Sequence, residues 1–134
     1  MRCLLDTHAL IWALQEPGML SKRATGALMS PESTVFVSIV SLWEIALKAS
    51  VGKAALVSLG IEQLPGAVAQ MGAKRLALDE RACVKLATLP FRSGHSDPFD
   101  RMIVSQAIVS SLTLIGRDER MAAYCEDGLD LLWR

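Results

Sequence analysis

Five acids in this chain stand where carboxylates could act together: Asp6, Glu44, Asp97, Asp100 and Asp118. The most informative stretch is Ser96-Asp97-Pro98-Phe99-Asp100-Arg101. Ser96 or Asp97 can accept hydrogen bonds from the free N–H groups of a helix start. Pro98 suits the first helical position, where its missing N–H costs nothing. Ile103, Val104 and Ala107 then repeat at helical spacing and predict a buried stripe. Asp97 and Asp100 are therefore expected one turn apart at the mouth of a rigid helix. Two carboxylates at close range repel each other, and a cation between them relieves the repulsion. If the other acids converge on the same place, the result is a hard, oxygen-rich site suited to Mg²⁺ or Mn²⁺.

The elements predicted from the sequence bring them together. Cys3-Leu4-Leu5 reads as a short strand buried on both faces, and Asp6 follows it directly. A helix over Ala9–Leu14 ends at Pro17-Gly18. Ser21 caps a helix to about Met29, and Thr34–Ser38 is β-branched and aromatic, hence a strand. Ser41-Leu42-Trp43-Glu44 reads as a capping box opening a helix to about Ser50. Residues 52–60 read as a loop, and the Gly52-Lys53 pair lacks the glycine spacing of a phosphate-binding loop. Ile61–Met71 reads as a helix interrupted near Pro65-Gly66. Arg75–Leu78 is a strand, and Asp79 starts a helix to about Thr88. Leu112–Ile115 is a strand, Gly116-Arg117-Asp118 turns into a helix to about Cys125, and Leu129–Trp133 is an edge strand. Strands alternating with helices predict an α/β fold: a three-layer α/β/α domain over residues 1–134 with a central parallel sheet. In such a sheet the strand C-terminal ends share one edge, where ligands bind. Asp6, Glu44 and Asp118 each lie just past a strand end.

The bulk numbers agree with a single packed domain. The chain has 134 residues, 51% of them hydrophobic and 21% charged, which argues for a buried sheet covered by helices and against disorder. Lys plus Arg number 14 and Asp plus Glu 14, so no net positive field draws in nucleic acid. Any such binding must come from local basic patches or bound metal. Cys3, Cys83 and Cys125 are odd in number and lack a Cys-x-x-Cys spacing, which argues against a disulfide framework or zinc site. No signal peptide or membrane-length apolar run is found, so a cytoplasmic location is expected.

Each acid also has a purely structural use, because the free N–H groups of a helix start stabilise negative charge. Asp79 reads only as such a cap. Thr7 could hydrogen-bond a carboxylate or extend a cap, and Lys48 reads as an ion-pair partner of Glu44 one turn away. Arg101 could hold a phosphate or pair with an acid. His8 and His95 read as surface or loop histidines, and Trp12, Trp43 and Trp133 as core or interface.

Four motifs together resemble the PIN domain, and more closely the VapC-type toxin ribonucleases of bacterial toxin–antitoxin pairs. They are Leu4-Leu5-Asp6-Thr7-His8 with Trp12, Ser38–Lys48 around Glu44, His95–Arg101 running into Ala107, and Asp118-Glu119-Arg120. They occur in the family's order and span the chain. The resemblance implies a metal-dependent endoribonuclease that leaves a 5′-phosphate without a covalent enzyme intermediate. Asp6, Glu44, Asp100 and Asp118 match the family's acidic quartet and are the expected ligands of Mg²⁺ or Mn²⁺. Asp97 matches an additional acid of the subgroup. One departure is Gly116, where the family often carries Thr or Ser two residues before the last acid.

The resemblance also implies a homodimer and a cognate VapB-like antitoxin, whose helix could lie on apolar segments Ser21–Met29 and Leu42–Met71. A structure-specific DNA nuclease and a non-catalytic PIN-like binding module are the alternative readings. A haloacid-dehalogenase-type phosphohydrolase is disfavoured, because Asp6-Thr7-His8 lacks the second Asp of its nucleophile motif.

Overall fold

A computed structural model describes residues 1–52, 58, 60–92 and 94–134. Its centre is a five-stranded parallel sheet in the order β3-β2-β1-β4-β5. The strands are β1 (Arg2–Leu5), β2 (Thr34–Ser38), β3 (Lys74–Leu76), β4 (Thr113–Ile115) and β5 (Asp130–Leu132). The helices are α1 (Thr7–Gln15), α2 (Lys22–Met29), α3 (Ile39–Ser50), α4 (Leu64–Gln70), α5 (Glu80–Thr88) and α6 (Pro98–Val109). Tighter 3₁₀ segments cover Pro17–Met19, Ile61–Gln63 and Glu119–Asp127.

Side chains of the inner strands alternate between two apolar layers, as a period of two requires. Cys3, Leu5, Val37 and Ile115 enter one layer with Leu10 of α1, Ala24 of α2 and Val68 of α4. Leu4 and Leu114 enter the other with Ile103, Val104 and Ala107 of α6 and with Tyr124. The expected three-layer α/β/α arrangement is what the structure has. Leu4 and Leu5 are fully buried. Truncating either to Ala should cost about 2–5 kcal/mol, so the strand end that carries Asp6 is held stiffly.

Register decides what meets at the C-terminal edge. Leu5 pairs with Val37 on one side and Ile115 on the other. Continuing one residue, Asp6 N–H donates to Ile115 O at 3.0 Å. Asp6 thereby stands beside Gly116 and Ser38. Buried Gln106 fastens α6 over the same edge: Ser38 Oγ donates to its Oε1 at 2.5 Å, and its Nε2 donates to Ala77 O at 3.3 Å.

Several boundaries differ from the sequence reading. α3 starts three residues early, with Ser38 as its cap accepting from Val40 N–H at 3.0 Å. Ser41 is therefore inside the helix and fully buried, and the expected Ser41–Glu44 capping box does not form. Strand and helix abut here with no linking residue, which the β-branched run hid. Pro65 falls in the first turn of α4, where a missing N–H is harmless, so the helix begins near it rather than breaking there. The loop expected over residues 52–60 lies largely outside the described residues. Among the described residues, no helix is long and apolar enough to cross a membrane.

Candidate active site

Three of the five acids each cap a helix start. Asp6 caps α1, its Oδ1 accepting from Ala9 N–H at 2.7 Å. Asp97 caps α6, accepting from Asp100 N–H at 3.0 Å. Asp118 caps the 3₁₀ segment, accepting from Arg120 N–H at 3.0 Å. Asp79 likewise caps α5 through Ala82 N–H. So the structural use foreseen for these acids is real. Four of the five expected site residues nevertheless surround or adjoin one space. Asp6, Asp97, Asp100 and Asp118 line a cleft of about 530 Å³ with His8, Trp12, Arg117, Arg120 and Met121.

Glu44 stands behind this cleft on the second turn of α3. It is buried and doubly held: Thr7 Oγ1 donates to Oε1 at 2.6 Å, and Lys48 Nζ donates to Oε2 at 2.7 Å. Thr7 Oγ1 also lies 3.0 Å from Ser41 Oγ. Thr7 is thus a carboxylate partner, and Lys48 is the ion-pair partner its spacing suggested.

The acids feel one another. Burial pushes the Asp6 carboxyl up to about 7; the Ala9 N–H opposes this, and the charges of Asp100, Glu44 and Asp118 add to the rise. Burial, then the charges of Asp97 and Glu44, also raises Asp100. Asp118 goes the other way, held below the usual carboxylate range by the side chain of Arg120. Arg120 grips both Asp118 oxygens, at 3.1 and 3.0 Å. Acids whose ionisation is disfavoured by burial and by one another's charge are a situation a divalent cation relieves.

Two residues read otherwise from sequence. His95 is no surface histidine: it is 1% exposed, and its Nε2 lies 3.5 Å from Asp100 Oδ2 and 3.9 Å from Asp118 Oδ2. Among the described residues, Nε2 has no hydrogen-bond partner. His95, Asp100 and Asp118 each offer one ligand atom, all within 4.8 Å of one another. The His95–Arg101 motif contained this signal, but burial of a loop histidine under a distant tyrosine is invisible in the chain order. Arg101 turns inward onto backbone carbonyls and a phenol. It is 4% exposed, and donates to Leu89 O at 2.8 Å, Pro90 O at 3.0 Å and Tyr124 Oη at 3.1 Å, with Phe91 stacked 3.9 Å away. Its role is to hold the loop before α6.

The tryptophans divide. Trp12 lines the acidic cleft, with Trp133 at 5.7 Å and the Arg117 guanidinium at 5.8 Å from its ring. Trp43 is 56% exposed on α3 and meets Phe99 edge-on at 4.9 Å.

The geometry gives a parallel α/β sheet with acids gathered at its C-terminal edge, and the comparisons place that fold in a family. The PIN domain model matches residues 3–127, and the chain belongs to the PIN domain family. Its fold is also that of VapBC2 from Rickettsia felis bound to a promoter DNA fragment, with a TM-score of 0.71, 16% identity and 100% of both chains covered. DNA-bound VapBC from Salmonella typhimurium is similar at a TM-score of 0.68 and 17% identity, covering 98% of this chain and 97% of that one. FitAcB from Neisseria gonorrhoeae follows at 0.65 and 21%, covering 98% and 96%. A search of curated proteins returns no match.

Proposed function

We propose that this PIN domain, acting as one unit over residues 1–134, is a divalent-metal-dependent endoribonuclease and the toxin of a type II toxin–antitoxin pair. The observation that carries the reading is the strand register that sets Asp6 at the cleft shared by Asp100 and Asp118. The donor set fits a hard divalent cation, because the carboxylates of Asp6, Asp100 and Asp118 line one cleft. Asp6, Asp100, Asp118 and Glu44 would hold Mg²⁺ or Mn²⁺, and Asp97 would cap the helix that presents Asp100.

When bound, such an ion supplies Lewis acidity at the phosphate and acidifies its water. The chain's own residues do the rest. Arg117 and Arg120, exposed at the cleft, supply local positive charge for a backbone phosphate in a chain with no net charge. Trp12 offers a ring face to an unpaired base beside them. Thr7 and Lys48 keep Glu44 in one orientation.

The toxin reading is supported by the VapBC and FitAcB complexes whose fold this chain shares. An antitoxin helix would lie on the exposed apolar side of α3, where Trp43, Leu47 and Val51 stand 56%, 44% and 61% exposed. Part of the expected groove, residues 53–57 and 59, lies outside the described residues. The cysteines Cys3, Cys83 and Cys125 are free, which suits a reducing, cytoplasmic setting. The test is to incubate the purified chain with structured RNAs, with and without Mg²⁺ or Mn²⁺, beside Asp6→Asn and Asp100→Asn. Metal-dependent cutting lost in both variants is expected. Equal cutting by the variants would assign the activity elsewhere.

A further inference from the structure

We propose that His95 Nε2 is a nitrogen ligand of the divalent ion, together with Asp100 and Asp118, and that it biases this site toward Mn²⁺ over Mg²⁺. The inference rests on the metal-dependent reading above and adds a residue and a metal preference to it. It starts from an unpaired group. His95 is 1% exposed, yet among the described residues Nε2 has no hydrogen-bond partner and faces two carboxylates. A buried polar atom without a partner is costly unless something absent from the protein alone completes it.

The geometry suits a shared ion. Two ligands each about 2.1 Å from one cation stand roughly 3–3.5 Å apart. Nε2 to Asp100 Oδ2 is already 3.5 Å, and Nε2 to Asp118 Oδ2 is 3.9 Å. The two histidine–carboxylate distances are thus within about half an ångström of that spacing, and all three ligand atoms lie within 4.8 Å of one another. Arg120 bonds both Asp118 oxygens, including the Oδ2 that faces His95, and its side chain is 58% exposed, so an ion can compete with it for that oxygen.

The other ring nitrogen is supported as a metal-binding imidazole requires. Nδ1 lies 2.9 Å from Tyr124 Oη. Tyr124 is fully buried, receives a hydrogen bond from Arg101 Nη1 and can donate its own proton to His95 O at 3.3 Å. With that proton so placed, Tyr124 Oη accepts from Nδ1–H, and the Nε2 lone pair is left facing the acids. Arg101, Tyr124 and His95 thus form one buried line from the Leu89–Pro90 backbone to the cleft. The metal preference follows from ligand chemistry. Mg²⁺ takes oxygen ligands in near-ideal octahedral geometry, whereas imidazole suits transition ions.

The experiment is pulsed EPR of the full-length chain loaded with Mn²⁺, alongside Mn²⁺ and Mg²⁺ binding titrations. The parent should show ¹⁴N modulation from a directly bound imidazole. That signal should survive His8→Gln, which alters the other histidine at the cleft, and vanish in His95→Gln. His95→Gln should weaken Mn²⁺ binding about 10- to 100-fold and Mg²⁺ binding by less than about threefold. The parent spectrum answers the question even if His95→Gln folds poorly. Saturable Mn²⁺ binding without nitrogen modulation would overturn His95 as a ligand and leave the metal-dependent reading standing. No saturable binding of either ion by the parent would overturn both.

Discussion

Asp6 Oδ2 occupies the space that a β-carbon at Gly116 would need: an ideal Cβ built there stands 2.5 Å from it. The register of β1 on β4 forces this approach, since Leu5 and Ile115 are paired and the next residues lie side by side. Glycine at 116 is therefore fitted to the position of Asp6, and a hydroxyl residue there would have to displace that carboxylate. Gly116→Ser should destabilise the chain by about 1–3 kcal/mol and lower RNA cleavage at least tenfold. Urea denaturation and a cleavage assay measure both. A serine variant as stable and active as the parent would mean that Asp6 rotates away freely.

The elevated Asp6 carboxyl predicts an unusual pH dependence in metal-free buffer. Its folded-state pKa is about 7 against an ordinary 3.8. Between those values the folded chain holds a proton that the unfolded chain has released, so Asp6 contributes stability that is lost as pH rises through 7. Asp6→Asn removes the effect. At pH 7.5 the variant should be more stable than the parent by a few kcal/mol, on the order of 1.4 per pKa unit, with the difference closing below pH 4. Added Mn²⁺ should raise the Tm of the parent and not that of the variant. Thermal melts across pH check this, and a variant less stable than the parent at pH 7.5 would refute it.

Thr7 is predicted to act through Glu44. Thr7→Val keeps the shape and deletes the 2.6 Å hydrogen bond to Oε1. The loss should be about 1.5–3 kcal/mol of stability, the usual range for a bond to a charged group. Cleavage should fall because Glu44 loses one of its two restraints, while the Ser variant should restore both. Rescue by Ser is the outcome a merely space-filling Thr7 would not show.

Arg101 should behave as scaffold. Arg101→Lys cannot reach the Leu89 and Pro90 carbonyls and Tyr124 Oη together, and a loss of roughly 2–3 kcal/mol is expected. Its RNA affinity should keep the parent's salt dependence. Had Arg101 held a phosphate, the slope of log K against log salt would drop by about 0.7. Arg117→Gln and Arg120→Gln, at the cleft, should show that drop.

The homodimer expected from family resemblance is tested by light scattering. A dimer should return twice the 14.5 kDa chain mass, and a stable monomer at micromolar concentration would count against it. Trp43→Glu places a charge on the exposed apolar side of α3 and should abolish binding of an amphipathic antitoxin helix while leaving the melt of the chain alone within a few degrees.

Much of this molecule was already decided by its residue order. Alternation of buried strands with amphipathic helices specified a parallel α/β sheet, and the positions of Asp6, Asp97 and Asp118 at helix starts were legible as caps. Those are local facts: side-chain period, caps and breakers act within a few residues. The same locality explains why Asp79 was legible as a cap and Lys48 as a partner of Glu44.

What sequence order left open depended on distant partners. Ser38 rather than Ser41 starts α3 because β2 runs straight into the helix and Gln106, 68 positions away, takes the Ser38 hydroxyl. Arg101 turned inward because the Leu89 and Pro90 carbonyls and Tyr124 converge on it. His95 came to the cleft because Tyr124, 29 positions on, buries it against Asp100 and Asp118. Which groups become neighbours across such separations is set by how the layers pack, and a buried polar atom takes its role from the neighbours that packing supplies.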